Sequence, residues 1–163
     1  MRLFEQLVLK DSIEIKTKPE IIWDFFTNLE RNYKAWHPED HILFKWIKGK
    51  PMEPGSIWYG EEILKGKLMK LKGTIGEVIP NKKIVFKFSF PISILSPGFE
   101  WHVEPKNAGS VFTAISYLRC FELFRLIAKN HVDTGTEAGR KHVKEEGENL
   151  KRLLEKKDNE IHS

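Results

Sequence analysis

Two periodicities divide the chain. Leu7 to Lys16 (LVLKDSIEIK) alternates apolar and polar residues in its second half, the pattern of a strand with one buried face. The period then changes. Pro19 stands where the first turn of a helix accepts it, and Ile21, Ile22, Phe25, Phe26 and Leu29 recur at helical spacing. A second short helix is predicted to end near His37, because Pro38 interrupts the segment RNYKAWHPEDH. From Ile42 the strand pattern returns in Ile42 to Lys48, Ser56 to Leu64, Leu68 to Ile79, Ile84 to Phe90, Gly98 to Glu104 and Ser110 to Arg119, all rich in β-branched and aromatic residues. Their separators (GKPMEPG, KGK, PNKK, PISILSP, PKNAG) are short and turn-like, which predicts an antiparallel meander. Phe121 to Lys129 reads as the beginning of helical structure, and a long helix is predicted to start between Asp133 and Glu137. The polar residues 157–163 read as a frayed tail.

One strand plus six makes a seven-stranded antiparallel sheet, which has to bury an apolar face. The long C-terminal helix is the element large enough to cover it, so the fold class is α+β, in a single domain spanning residues 1–163. A curved sheet closing on a helix leaves a space between them.

The helix contains an anomaly. At about 100° per residue, Val143, Leu150, Leu153 and Leu154 form its apolar stripe, and Glu146 projects near the middle of that stripe. His142 lies one turn earlier on the same side, at the i, i+4 spacing that brings two side chains together. A buried carboxylate needs a cation, a hydrogen-bond cage or a metal, and the partners open to Glu146 are a metal shared with His142, or Arg125, Arg140 or a nearby lysine.

Composition narrows the function classes. The chain has 163 residues with 40% hydrophobic content, enough for a core, and its 27 basic residues are interspersed with 23 acidic ones for a net charge of +4. No run of like charge or basic–aromatic cluster points to nucleic acid. A single cysteine, Cys120, permits no internal disulfide and fits a reducing compartment. Neither a secretory signal nor an apolar run of about 18 residues occurs, so the expectation is a cytoplasmic protein without a membrane partner.

Three further places carry candidate chemistry. His37, Asp40 and His41 crowd the turn between the second short helix and the next strand, where capping could also account for them. Glu61 and Glu62 adjoin within a strand-like segment, so alternation sends one of them inward; Glu62 is favoured. His102 and Tyr117 would suit general acid–base work if they face the cavity. Imidazole and carboxylate without thiolate suit zinc, with manganese, iron or cobalt also compatible.

The order of elements resembles the START/Bet v 1-like (SRPBCC) superfamily, the helix-grip fold with an internal ligand cavity, over about Leu7 to Glu155. Three motifs are more specific: YKAWHPEDH at Tyr33 to His41, YGEEILKG at Tyr59 to Gly66, and HVKEEGENL at His142 to Leu150 resemble the zinc-binding diacetylphloroglucinol hydrolase and phloretin hydrolase branch. That resemblance implies a zinc ion held by two histidines and two glutamates, and cleavage of a carbon–carbon bond between an acyl group and a phenolic ring. Its ligands would be His142, Glu146, Glu62 and either His37 or His41, with His37 the better match to the Trp-His-Pro core. His102 and Tyr117 would assist catalysis, and Asp40 would contact substrate. The chain begins almost directly at its first predicted strand, without the additional N-terminal region of the phloroglucinol hydrolase, which leaves substrate and assembly open, a homodimer included. The competing expectations are a carrier of a small hydrophobic or aromatic molecule and a metal-free polyketide cyclase, both compatible with the same cavity.

Overall fold

The computed structural model describes residues 4–121 and 129–161. Strand β1 (Phe4–Ile15) is followed by helices α1 (Pro19–Thr27) and α2 (Leu29–Trp36). The strands β2 (His41–Lys48), β3 (Ile57–Leu64), β4 (Lys67–Ile79), β5 (Lys83–Phe88), β6 (Gly98–Lys106) and β7 (Gly109–Phe121) come next, and helix α3 (Lys129–Ile161) closes the order. All seven strands form one antiparallel sheet in the order β1-β7-β6-β5-β4-β3-β2. The six-strand meander runs from one edge, and β1 completes the sheet beside β7 at the other. The architecture expected from the alternation is therefore present, with its two short helices after the first strand.

Helix α3 differs from expectation at its start, since it is already formed at Lys129, ahead of the Asp133 to Glu137 window. The rest of the segment Phe121 to Lys129 lies outside the described residues. Gly135 and Gly139, poor helix formers, do not end the helix. Gly139 and Gly147 let it lie close to the sheet: a β-carbon at Gly139 would stand 2.8 Å from Leu9 Cδ1, and one at Gly147 would stand 3.3 Å from Ile13 Cγ2. The helix thus rests directly on β1.

Between helix and sheet lies an aromatic core. Phe26 of α1 stacks on Trp101 of β6 with ring centroids 4.5 Å apart, and Phe86 stacks on Phe99 at 4.4 Å. Trp36 meets both Phe26 and Trp101, and its indole N–H donates to the Glu146 carbonyl at 2.8 Å, which ties α2 to α3. Such rings bury large apolar areas at low conformational cost. Among the described residues no helix is long and apolar enough to cross a membrane.

Candidate functional site

Three segments converge at one end of the cavity between α3 and the sheet. The first is the turn from His37 to His41, closed by backbone N–H groups of Asp40 and His41 donating to the His37 carbonyl at 3.1 and 2.8 Å. Pro38 leaves α2 no way to continue, and the turn delivers His41 as the first residue of β2. The second is β3, whose register sets Glu62 directly opposite His41. The third is α3, carrying His142 and Glu146 on one face.

The side chains meet closely. His41 Nε2 lies 3.2 Å from Glu146 Oε1, and His142 Nε2 lies 3.4 Å from the same oxygen and 3.8 Å from Glu62 Oε2. The Tyr33 hydroxyl donates to Glu62 Oε2 at 3.1 Å. His41 is fully buried and stacks parallel on the Tyr33 ring at 3.9 Å. Its Nδ1 donates to the Tyr33 carbonyl at 3.0 Å, because a carbonyl can only accept, so Nε2 is the ring nitrogen left to meet Glu146 or a metal ion. His142 is arranged the same way, with Nδ1 3.2 Å from Asp40 Oδ2 and Nε2 facing the carboxylates.

The charges follow from these contacts. Desolvation alone would lower the His142 pKa, but the charge and hydrogen bond of Glu146, with Glu62 and Asp40 adding, raise it from 6.5 to about 10. Burial would raise the Glu146 carboxyl, yet His142 and then His41 bring it from 4.5 to about 2. At Glu62, burial pushes the carboxyl up, against the pull of His142 and with the push of Glu146. Burial, followed by the charges of Glu62 and Glu146, holds the Tyr33 hydroxyl well above 10.0, so it remains a donor. In the protein without bound ions the pocket therefore holds an imidazolium–carboxylate pair. The partner that Glu146 requires is histidine. Arg140 instead lines a separate cleft with Glu5, Leu7 and Cys120, and Arg125 lies outside the described residues.

The same set could hold a metal ion. His41, Glu62 and His142 offer donor atoms all within 4.8 Å of one another, and Glu146 joins them through the contacts above. Ligands about 2.0–2.2 Å from a tetrahedral ion stand about 3.3–3.6 Å apart. The separations of 3.2, 3.4 and 3.8 Å fall around that edge length. Two neutral imidazoles and two carboxylates, each imidazole with its far nitrogen held by an acceptor, are the donor chemistry of a zinc-type site.

The remaining candidates are placed as follows. Glu62 lines the cavity as expected, while Glu61 accepts from the Tyr59 hydroxyl at 2.5 Å, away from the cavity lining. His37 stands behind His142, with its ring 5.3 Å from that of His142 and its Nε2 3.2 Å from Glu145 Oε2. It is His41, not the motif-favoured His37, that joins Glu62 and Glu146. His102 and Tyr117 do not face the cavity: His102 Nε2 pairs with Glu100 Oε2 at 2.8 Å, and the Tyr117 hydroxyl donates to Glu100 Oε1 at 3.2 Å. Strand parity is the reason, since Trp101 and Val103 take the inward positions of β6 and Ser116 and Leu118 line the cavity from β7. Asp40 bonds His142 and is absent from the cavity lining, so the resemblance-based contact with substrate has no support in its position. Tyr33 and Glu145 are the residues that sequence reasoning did not assign. For Tyr33 the signal was present, because Leu29, Tyr33 and Trp36 are spaced as one buried face of α2.

The cavity itself has a volume of about 350 Å³. Aromatic and aliphatic side chains line most of it, including Phe44, Trp58, Leu71, Phe88 and Phe99, with Ser96 and Ser116 as isolated polar groups. Tyr33, Glu62, His142 and Glu146 supply its charged end. The volume suits one small aromatic molecule.

No family model matches the chain, and no curated protein matches it. Solved structures do. The KanY protein superposes with a TM-score of 0.70 at 14% identity, covering 93% of this chain and 99% of that one. Norcoclaurine synthase from Thalictrum flavum, solved with dopamine and hydroxybenzaldehyde, gives a TM-score of 0.64 at 14% identity over 94% of this chain and 89% of its own. The di-domain aromatase/cyclase BexL gives 0.67 at 11% identity, covering 90% of this chain and 49% of that one. The fold is thereby defined: this chain has the Bet v 1-like helix-grip fold.

Proposed function

We propose that the protein is a metal-dependent hydrolase, with zinc as the metal, that cleaves the carbon–carbon bond between an acyl group and an activated carbon in an acylated polyphenol or β-diketone. One observation carries this reading: four donors from three separate segments meet at the charged end of a cavity that, among the described residues, is otherwise lined mainly by apolar side chains. His41, Glu62, His142 and Glu146 would hold the metal, and His41 takes the place that the motif alone gave to His37. Zinc in such a site acts as a Lewis acid toward a ketone oxygen and lowers the pKa of water. The remaining tasks belong to the chain. The aromatic walls bind and orient the ring and exclude bulk water, and the Tyr33 hydroxyl, kept protonated, donates to Glu62 and so holds that carboxylate in place at the end of the cavity. In the overall reaction water adds its oxygen to the acyl carbon, the carbon–carbon bond breaks, and its electron pair takes a proton at the ring carbon. The products are a carboxylic acid and the deacylated ring. His102 and Tyr117 have no part in this scheme.

A second reading has its own support. Structural neighbours include a norcoclaurine synthase and an aromatase/cyclase, so the fold also accommodates condensation or cyclisation of aromatic compounds, and the imidazolium–carboxylate pair could serve as acid and base without metal. Elemental analysis after expression with added zinc, followed by turnover of acylphenols and β-diketones with and without chelator, separates the two. About one equivalent of metal and chelator-sensitive loss of the aryl ketone are expected. Less than about a tenth of an equivalent of any transition metal would reject the hydrolase, since catalytic sites of this donor set hold zinc tightly.

A further inference from the structure

Behind His142, on the side away from the cavity, Asp40, His37 and Glu145 form a second group of polar side chains. Asp40 Oδ2 lies 3.2 Å from His142 Nδ1 and 3.6 Å from His37 Nε2, and His37 Nε2 lies 3.2 Å from Glu145 Oε2. Taken by distance alone, His37, Asp40 and His142 are a candidate cation site of their own. The hydrogen bonding speaks against it. His37 Nδ1 is buried with no partner among the described residues, which places the proton of a neutral ring on Nε2, toward Asp40 and Glu145. A protonated Nε2 has no lone pair for a metal. His142 Nδ1 likewise has to carry a proton to bond Asp40, which leaves that ring one ligating nitrogen, Nε2, aimed at Glu62 and Glu146.

We propose that Asp40 is the positioning residue of the metal centre: by accepting from His142 Nδ1–H it fixes the ring's tautomer and orientation and so presents Nε2 as ligand, while His37, whose Nε2 is hydrogen-bonded to Glu145, lies 3.6 Å from Asp40 on the other side. This rests on the metal reading above and revises the expected role of both residues, Asp40 from substrate contact and His37 from ligand. Its logic is that of the carboxylate–histidine–zinc arrangement, in which an acceptor on the far nitrogen also makes the near one more basic. His41 needs no such carboxylate, because the Tyr33 carbonyl does the same for it from the backbone.

The two arrangements give a differential test. In Co²⁺-loaded protein, two exchangeable, paramagnetically shifted N–H resonances are expected, from His41 and His142. In Asp40→Ala the His142 resonance should vanish through solvent exchange while the His41 resonance persists, and Co²⁺ and Zn²⁺ affinity should fall about 10–100-fold. Asp40→Asn, which retains an acceptor oxygen, should restore part of the lost affinity, and His37→Ala should weaken binding less than His41→Ala. Unchanged affinity with both resonances retained in Asp40→Ala would overturn the proposal, as would a second equivalent of Co²⁺ that His37→Ala abolishes. If the wild-type protein takes up no metal, the hydrolase reading fails by itself. The Nδ1–H of His142 is then followed in ¹⁵N-labelled metal-free protein, where its persistence in Asp40→Ala refutes the clamp and its selective loss upholds the hydrogen bond.

Discussion

Without metal, the pairing of His142 with Glu146 should give the protein a stability optimum in mildly acidic solution. Glu146 has its pKa depressed from 4.5 to about 2, so its contribution is complete above 4.5 and is lost as pH falls toward 2. His142 has its pKa raised from 6.5 to about 10, so its contribution is complete below 6.5 and is lost as pH rises toward 10. The two shifts describe largely one interaction and are counted once, as an effect on the order of 3 kcal/mol at about 1.4 kcal/mol per unit. Raising the pH from 6.5 to 8 should therefore cost the metal-free protein about 2 kcal/mol. Glu146→Gln removes the leading charge partner and should make this alkaline loss clearly smaller. The assay is urea unfolding of both proteins between about pH 5 and 9 in excess chelator, taking the difference between them at each pH. With one equivalent of zinc the slope should reverse, because a ligating imidazole has to give up its Nε2 proton and binding tightens as pH rises. A difference between wild type and Glu146→Gln that stays flat or grows in favour of wild type above pH 6.5 would refute the reasoning.

Two more outcomes follow from the geometry. His102→Ala and Tyr117→Phe should leave turnover of any cavity substrate within about twofold, since both residues pair with Glu100 away from the cavity lining; steady-state kinetics check this, and a loss of about 100-fold, the scale of general acid–base catalysis, would restore their catalytic role. Phe26→Ala should destabilise the protein by about 3–5 kcal/mol in the same unfolding assay, because the ring is fully buried and stacks on Trp101.

How far the sequence went is clearest at the individual positions. Strand alternation and short separators were sufficient for the sheet, and helical spacing alone showed that Glu146 and His142 point inward together. The parity of β6 was legible as well: Phe99, Trp101 and Val103 are the bulky apolar set, which sends His102 outward with Glu100. The resemblance implied a catalytic place for His102 and Tyr117, and in the structure both pair with Glu100 away from the cavity lining. His41 was harder to reach. The pairing of β2 with β3 shifts register between His41 and Leu43, so counting back along the strand does not tell which way His41 faces. Its position comes from the turn and the partner strand, neither of which has a local signature. The glycines of α3 gave the opposite difficulty, because low helix propensity is visible in a sequence and a close approach to Leu9 is not.

The site also divides according to when it can form. His41 and Glu62 face each other across one hairpin, 21 positions apart in sequence, whereas His41 and Glu146 are separated by 105. The hairpin half is cheap in loop-closure entropy and can assemble early; the helical half waits for α3 to dock across the finished sheet. A metal ion meeting the nascent chain would find two ligands at most. Under the metal reading proposed above, full-affinity capture would report that the last helix has arrived, and the time course of metal uptake during refolding would measure helix docking.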